Sequence, residues 1–366
     1  MKRFIISGGG TGGHIFPAIA IANAVKKRWV DSEILFVGAE DRMEMERVPA
    51  AGYKIIGLPV AGFNRKNLFK NISVVFKLFK SLNRARGIIE NFKPDIAIGV
   101  GGYASGPILK AATGKGVPTL IQEQNSYAGV TNKMLAQKAT TICVAYDGMD
   151  KFFPKEKIVV TGNPCRQDLV ISEENRNEGY KHFKLNPHKK TILMVGGSLG
   201  AATLNKSIAN AFTKLNAAED VQVLWQCGKY YFKEMSNLQM EDKIPDNVFL
   251  TDFISRMDYA YSVADLIISR AGAGSISEFS ILGKPVILVP SPNVAEDHQT
   301  KNAKSITDKN AAVLIKESEL DQQFQEQMLR LLTNDQVAEA LSKNIKTLAL
   351  PNATKDIVKE ILKLIK

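Results

Sequence analysis

His14 stands at the end of a glycine run, Ser7-Gly8-Gly9-Gly10-Thr11-Gly12-Gly13, which directly follows the apolar stretch Phe4-Ile5-Ile6. An imidazole with an ordinary pKa of about 6.5 can take a proton from an attacking hydroxyl near neutrality. The same ring could instead bond the backbone of its own loop, and spacing leaves both roles open. A second glycine turn, Gly196-Gly197-Ser198-Leu199-Gly200, follows Thr191-Ile192-Leu193-Met194-Val195. Each reads as strand, glycine turn and helix. That arrangement lets backbone N–H groups and a helix N-terminus approach a phosphate. A third small-residue loop, Ser269-Arg270-Ala271-Gly272-Ala273-Gly274-Ser275-Ile276-Ser277-Glu278, offers a carboxylate able to accept two hydrogen bonds from a ribose diol. Its alternative is a capping box, with Ser275 as the cap and Glu278 three residues on. Polar groups also gather in Gly101 to Pro107, in Glu123-Gln124-Asn125 and in Glu296 to Asn302, each after an apolar run. Each of these segments could equally be a turn or a solvated helix start.

Short runs rich in Val, Ile and Leu alternate with helix-length segments and must carry these loops. The pattern predicts strands over 3–7, 33–38, 53–60, 95–100, 117–122 and 139–145, then over 190–196, 221–226, 247–251, 265–269, 285–289 and 311–315. Such alternation argues for parallel sheets with right-handed crossovers. The expected fold is α/β, with two Rossmann-like nucleotide domains facing each other across a cleft. Gly and Pro in Thr161-Gly162-Asn163-Pro164 mark the linker, giving domains 1–162 and 163–350. A last helix, about 351–366, is expected to cross back to the first domain.

At 366 residues the chain can bury two full cores, and its 45% apolar and 23% charged content is ordinary for a globular protein. Cys143, Cys165 and Cys227 stand far apart, which disfavours a disulfide framework or a zinc site and suits a reducing compartment. The first strand leaves no room for a signal peptide, and no run approaches the roughly 18–20 apolar residues of a membrane span. Residues 1–160 hold 23 Lys and Arg against 12 Asp and Glu, so the whole formal charge of +11 lies in the first half. An acidic partner for that half follows: nucleic acid, anionic membrane or anionic substrate. Phe63 to Arg86 carries seven basic residues and no acid, with Leu68, Ile72, Val75, Phe76, Phe79 and Leu82 at helical spacing. The expectation is a helix partly packed on the sheet, with its N-terminal end touching an anionic bilayer.

Several chemistries drop out. Gly8, Gly10 and Gly13 satisfy G-x-G-x-x-G, but a dinucleotide site also wants an acid at the end of the second strand. Here Glu33 opens that strand and Glu40-Asp41 follow it. There is no D-x-D triplet, Walker lysine loop or H-E-x-x-H. Metal-dependent transfer, P-loop hydrolysis and zinc proteolysis are therefore not expected.

Taken in order, GGGTGGHIFP (8–17), GGYASGP (101–107), EQN (123–125), GNPCR (162–166), GGSLG (196–200), Arg270 to Glu278 and Asp297-His298-Gln299 resemble the signatures of the MurG family. These are bacterial transferases that add N-acetylglucosamine to lipid-linked N-acetylmuramoyl-pentapeptide. The resemblance runs from the first strand to the closing helix and implies the GT-B architecture, with no cofactor and no metal. It implies that Ser198 and Arg166 meet the donor diphosphate, along with Ala273, Gly274 and Ser275 at the third loop. The backbone around Ile254 would read uracil, and Glu278 the ribose. Gln299 and Asn125 would hold the sugar, and Thr11, Gly12 and Gly13 would close over the sugar and diphosphate from the opposite domain. His14 is the candidate base and Glu123 its competitor. Gln122 stands where many relatives carry a histidine. The partners implied are UDP-N-acetylglucosamine, lipid I and an anionic membrane surface, with no nucleic acid. The place implied is the cytoplasmic face of the bacterial inner membrane, held peripherally. A UDP-sugar epimerase of the same architecture is the alternative; it would share the donor site but needs no lipid-facing segment.

Overall fold

The computed structural model describes residues 1–62, 71–165, 169, 171–197, 200–212 and 220–365. The chain forms two compact units, Met1–Cys165 with Leu350–Lys366, and Arg166–Ala349.

The first unit is a seven-stranded, all-parallel sheet: β1 (Arg3–Ser7), β2 (Glu33–Ala39), β3 (Lys54–Leu58), β4 (Ile96–Gly99), β5 (Thr119–Glu123), β6 (Thr141–Val144) and β7 (Ile158–Val160). The spatial order is 3-2-1-4-5-6-7. The crossovers carry α1 (Gly12–Arg28), α2 (Glu44–Ala50), α3 (Asn71–Phe92), α4 (Ser105–Gly114) and α5 (Val130–Leu135). Strands β4 and β5 are buried at every residue, as parallel strands covered on both faces must be. Strand β7 lies outside the predicted set. Its apolar run, Ile158-Val159-Val160, is only three residues long and partly buried, directly after the charged Lys155-Glu156-Lys157.

The second unit repeats the plan with β8 (Lys190–Val195), β9 (Val221–Gln226), β10 (Val248–Thr251), β11 (Leu266–Ser269), β12 (Val286–Leu288) and β13 (Val313–Leu314). Its order is 10-9-8-11-12-13, again all parallel. The helices are α6 (Glu173–Phe183), α7 (Ala202–Phe212), α8 (Phe232–Met240), α9 (Met257–Val263), α10 (Ala273–Leu282), α11 (His298–Thr307), α12 (Leu320–Thr333) and α13 (Asp335–Lys346).

The last helix, α14 (Ala353–Leu364), packs on α1 in the first unit. Ile357 and Ile361 are fully buried in the same core as Phe4, Ile15, Ile21 and Phe36. Its apolar residues recur at helical spacing and fill one face, while Lys355, Lys359 and Lys363 stay outside, two of them paired with acids three residues earlier on the helix. Ile361→Ala should therefore destabilise the first unit by about 2–5 kcal/mol, read from urea unfolding. An unchanged midpoint would mean that α14 is only loosely seated.

Candidate active site

In both sheets the order reverses at the first strand. The chain leaves β1 and β4, or β8 and β11, toward opposite sides, and open α/β sheets bind ligands in the crevice outside those carboxyl ends. All three glycine-rich loops lie at such ends.

At the β1 end, Gly10 has φ +85° and Thr11 is the N-cap of α1, with no side-chain cap bond. Thr11 and Gly13 are exposed, and Gly12 opens the helix. His14 sits in the first turn, its ring half-buried. Its Nδ1 lies 3.0 Å from the Gly9 carbonyl oxygen, which can only accept, so Nδ1 carries the proton in this arrangement. Thr11 Oγ1 is 3.5 Å from the same nitrogen.

The β4 loop supplies clearance rather than side chains. A Cβ on Gly101 (φ +103°) would lie 2.8 Å from His14 Nε2, and one on Gly102 (φ +88°) 2.5 Å from the Gly9 carbonyl oxygen. Ser105, fully buried, has its hydroxyl oxygen 2.9 Å from the carbonyls of both Ser7 and Gly101, so its one proton is shared between them at the ends of β1 and β4.

Glu123 closes β5 and is 2% exposed. Its carboxylate accepts from Asn125 N (3.0 Å), Asn125 Nδ2 (3.2 Å), Gly129 N (2.9 Å) and Asn132 Nδ2 (2.9 Å). Both oxygens are spent on the loop that presents Asn125. Gln124 Nε2 donates to the Val100 carbonyl at 2.8 Å, which fixes that loop against the β4 end. Gln122 donates to Asn163 at 3.0 Å inside the sheet, in a buried amide network with Gln124.

In the second unit, Ser198 and Arg166 lie outside the described residues. The flanking glycines, Gly197 at φ +89° and Gly200 at φ +78°, adopt backbone that favours glycine. Gln226, at the end of β9, donates to the carbonyls of Gly197 (3.0 Å) and Asp252 (3.1 Å). One buried amide thus joins the glycine turn to the loop carrying Ile254, itself buried.

Helix α10 begins earlier than the capping-box reading expects. Its N-cap is Gly272, in extended backbone, and Ala273, Gly274 and Ser275 form the first turn. Glycine has no side chain to spend on this helix end, so the capping box is corrected. Glu278 lies one turn further in and accepts from Tyr261 Oη at 2.8 Å. Arg270 pairs with Glu317 at 2.6 Å and donates to the carbonyls of Val289 and Pro290, which pins the loop before α10. Gln299 Oε1 accepts from Ser291 N at 2.8 Å, leaving the side chain held at the end of β12.

Of the basic-apolar segment, 63–70 lies outside the described residues. On α3, Val74, Ser81 and Ala85 are buried, whereas Phe76 and Phe79 are 71% and 67% exposed. Val75, Leu78, Lys77 and Lys80 are exposed beside them. Among the described residues, no helix is long and apolar enough to cross a membrane.

Residues 4–144 match the N-terminal domain of glycosyltransferase family 28, and residues 191–361 match its C-terminal domain. A UDP-N-acetylglucosamine--N-acetylmuramyl-(pentapeptide) pyrophosphoryl-undecaprenol N-acetylglucosamine transferase of Parabacteroides distasonis is 60% identical over 99% of this chain and 98% of its own length. The crystal structure of Acinetobacter baumannii MurG superposes with a TM-score of 0.81 at 31% identity, over 99% of this chain and 100% of that one. The chain belongs to the MurG family, within glycosyltransferase family 28. It is a glycosyltransferase with the two Rossmann-like domains of the GT-B architecture. A UDP-GlcNAc 2-epimerase of Neisseria meningitidis shares the fold (TM-score 0.70, 17% identity, 99% of this chain and 100% of that one).

Residues that sequence reasoning passed over are Glu44, Gln226 and Tyr261. None lies in a glycine motif; each bonds to one from a neighbouring element. The close approach of Gly102 to Gly9 gives a direct test. Gly102→Ala should cost about 1–3 kcal/mol of stability through its positive φ and the backbone clash. Gly87→Ala, inside α3 with open space around its Cβ, should be neutral or stabilising. Equal effects in thermal unfolding would contradict the close approach.

Proposed function

We propose that this chain moves N-acetylglucosamine from UDP-N-acetylglucosamine to the 4-hydroxyl of undecaprenyl-diphosphate-linked N-acetylmuramoyl-pentapeptide, with inversion. The observation that carries this reading is 60% identity, along nearly the whole of both chains, to a transferase named for that reaction. The epimerase alternative rests on shared fold alone.

The donor's diphosphate faces the glycine turn after β8 and the first turn of α10, where helix N-termini offset its charge. Ser198 and Arg166 add a hydroxyl and a guanidinium there. The loop at Ile254 reads uracil through its backbone, Glu278 takes the ribose hydroxyls, and Gln299 holds the sugar. Thr11, Gly12, Gly13 and Asn125 of the first unit are assigned to the sugar by the family resemblance. The acceptor 4-hydroxyl attacks the anomeric carbon as its proton passes to His14 Nε2, and the bond to UDP breaks. The Nδ1–H to Gly9 hydrogen bond supports His14 as base, because it leaves the lone pair on Nε2. Glu123 is the weaker candidate, since four internal donors already occupy its carboxylate.

The exposed Phe76 and Phe79, flanked by lysines on the basic first unit, support peripheral docking on an anionic bilayer. That surface is where a polyprenyl diphosphate acceptor resides, at the cytoplasmic face of the inner membrane.

UDP release from UDP-N-acetylglucosamine, with and without a short-chain lipid I analogue, tests the reaction. Acceptor-dependent release that persists in EDTA is expected; donor consumption without acceptor would favour the epimerase. His14→Ala should lower kcat by about 10²–10⁴-fold with little change in donor KM. Phe76→Ser with Phe79→Ser should reduce binding to anionic vesicles by about tenfold or more, while sparing turnover of a water-soluble acceptor. Undiminished vesicle binding would dismiss this patch as the docking surface.

A further inference from the structure

Glu44, in α2, is fully buried, and no described Lys or Arg pairs with it by a salt bridge. Its Oε1 accepts from Ala39 N at 2.9 Å and its Oε2 from Gly10 N at 2.9 Å. Two glycines from different segments make room for it. A Cβ on Gly9 would lie 2.0 Å from Oε1, and a Cβ on Gly38 2.6 Å from Cγ.

The Gly10 N–H and the Gly9 C=O belong to one peptide group. The N–H end donates to the Glu44 carboxylate, and the C=O end accepts from His14 Nδ1 at 3.0 Å. The peptide plane is therefore held between a buried carboxylate and an imidazole. A carboxylate on the N–H side draws positive charge toward the nitrogen and leaves the carbonyl oxygen a stronger acceptor, since hydrogen-bond chains polarise one another. We propose that Glu44 is a positioning residue for the transfer reaction, acting through the Gly9–Gly10 peptide to hold His14 in its Nδ1–H tautomer. The inference rests on the reading of His14 as the base.

No proton reaches Glu44 in this scheme. The acceptor hydroxyl's proton goes to His14 Nε2, the new bond forms from that oxygen to the anomeric carbon, and the bond to UDP breaks. The peptide N–H stays on Gly10 throughout. The arrangement works like a carboxylate bonded directly to a catalytic imidazole, with one peptide inserted between them. It also means that the Gly10 N–H is occupied by a carboxylate. The first glycine run is thus organised around a base, whereas a pyrophosphate cradle would need that N–H for its anion.

Glu44→Gln removes the charge and can accept from only one of the two N–H groups, whereas Glu44→Asp keeps a carboxylate. Both are measured in the full chain, with folding checked by circular dichroism, kcat and donor KM by UDP release, and the His14 tautomer by imidazole ¹⁵N chemical shifts. In the wild type the Nδ1–H form should dominate. Glu44→Gln should mix in the Nε2–H form and lower kcat by at least about tenfold, with donor KM moving less than about threefold. Glu44→Asp should recover much of both. A folded Glu44→Gln protein with lowered kcat but an unchanged His14 tautomer would overturn the relay and leave Glu44 a scaffold residue. A wild-type His14 in the Nε2–H form would overturn it too, even with His14→Ala inactive. Full activity of His14→Ala would instead defeat the base reading itself.

Discussion

Parallel strand order is the constraint on which everything else depends. In each sheet the first strand sits between neighbours whose crossovers leave to opposite sides. No helix can cover the carboxyl end of that strand or of its partner across the switch. The gap must be met by loops, and loops this close to a sheet end are built from glycine because backbone has to approach backbone. Gly102 against the Gly9 carbonyl and Gly200 against the Cys227 carbonyl are the same solution found twice. The chemistry then falls where the topology leaves space.

The two units use that space differently. In the second, the switch point presents a glycine turn and the first turn of α10, whose N-cap is Gly272, and Gln226 holds the turn to the loop at Ile254. That is a surface suited to an anion and a planar base. In the first, a buried carboxylate already satisfies the Gly10 N–H, and a histidine occupies the helix start. One fold thus presents a glycine turn and a helix start in one copy, and a buried carboxylate beside a half-buried histidine in the other.

The sheets were legible because parallel strands buried on both faces read as unbroken Val, Ile and Leu runs. β7 was not, because its Ile158-Val159-Val160 run is only three residues long. The glycine motifs were legible as loops at strand ends, but their packing was not. Gly101 and Gly102, left open between turn and contact, make room for the His14 ring and the Gly9 carbonyl. The Ser275-to-Glu278 spacing looked like a cap because that pattern does not reveal where the helix starts; Gly272 in extended backbone starts it earlier. Glu44 was hidden for a different reason. Its partners, Gly10 and Ala39, lie on two other segments, and a buried acid bonded to backbone N–H groups leaves no periodic mark on the sequence.

The central claim is that the donor nucleotide is read at the switch point of the second unit. Hydrogen exchange of the full chain with saturating UDP and no acceptor tests it most directly. The strongest protection should fall on amides at Gly196–Gly197, around Ile254 and at the start of α10 from Ala273 to Ser275. Protection confined to Gly8–His14, with those segments unchanged, would contradict the account.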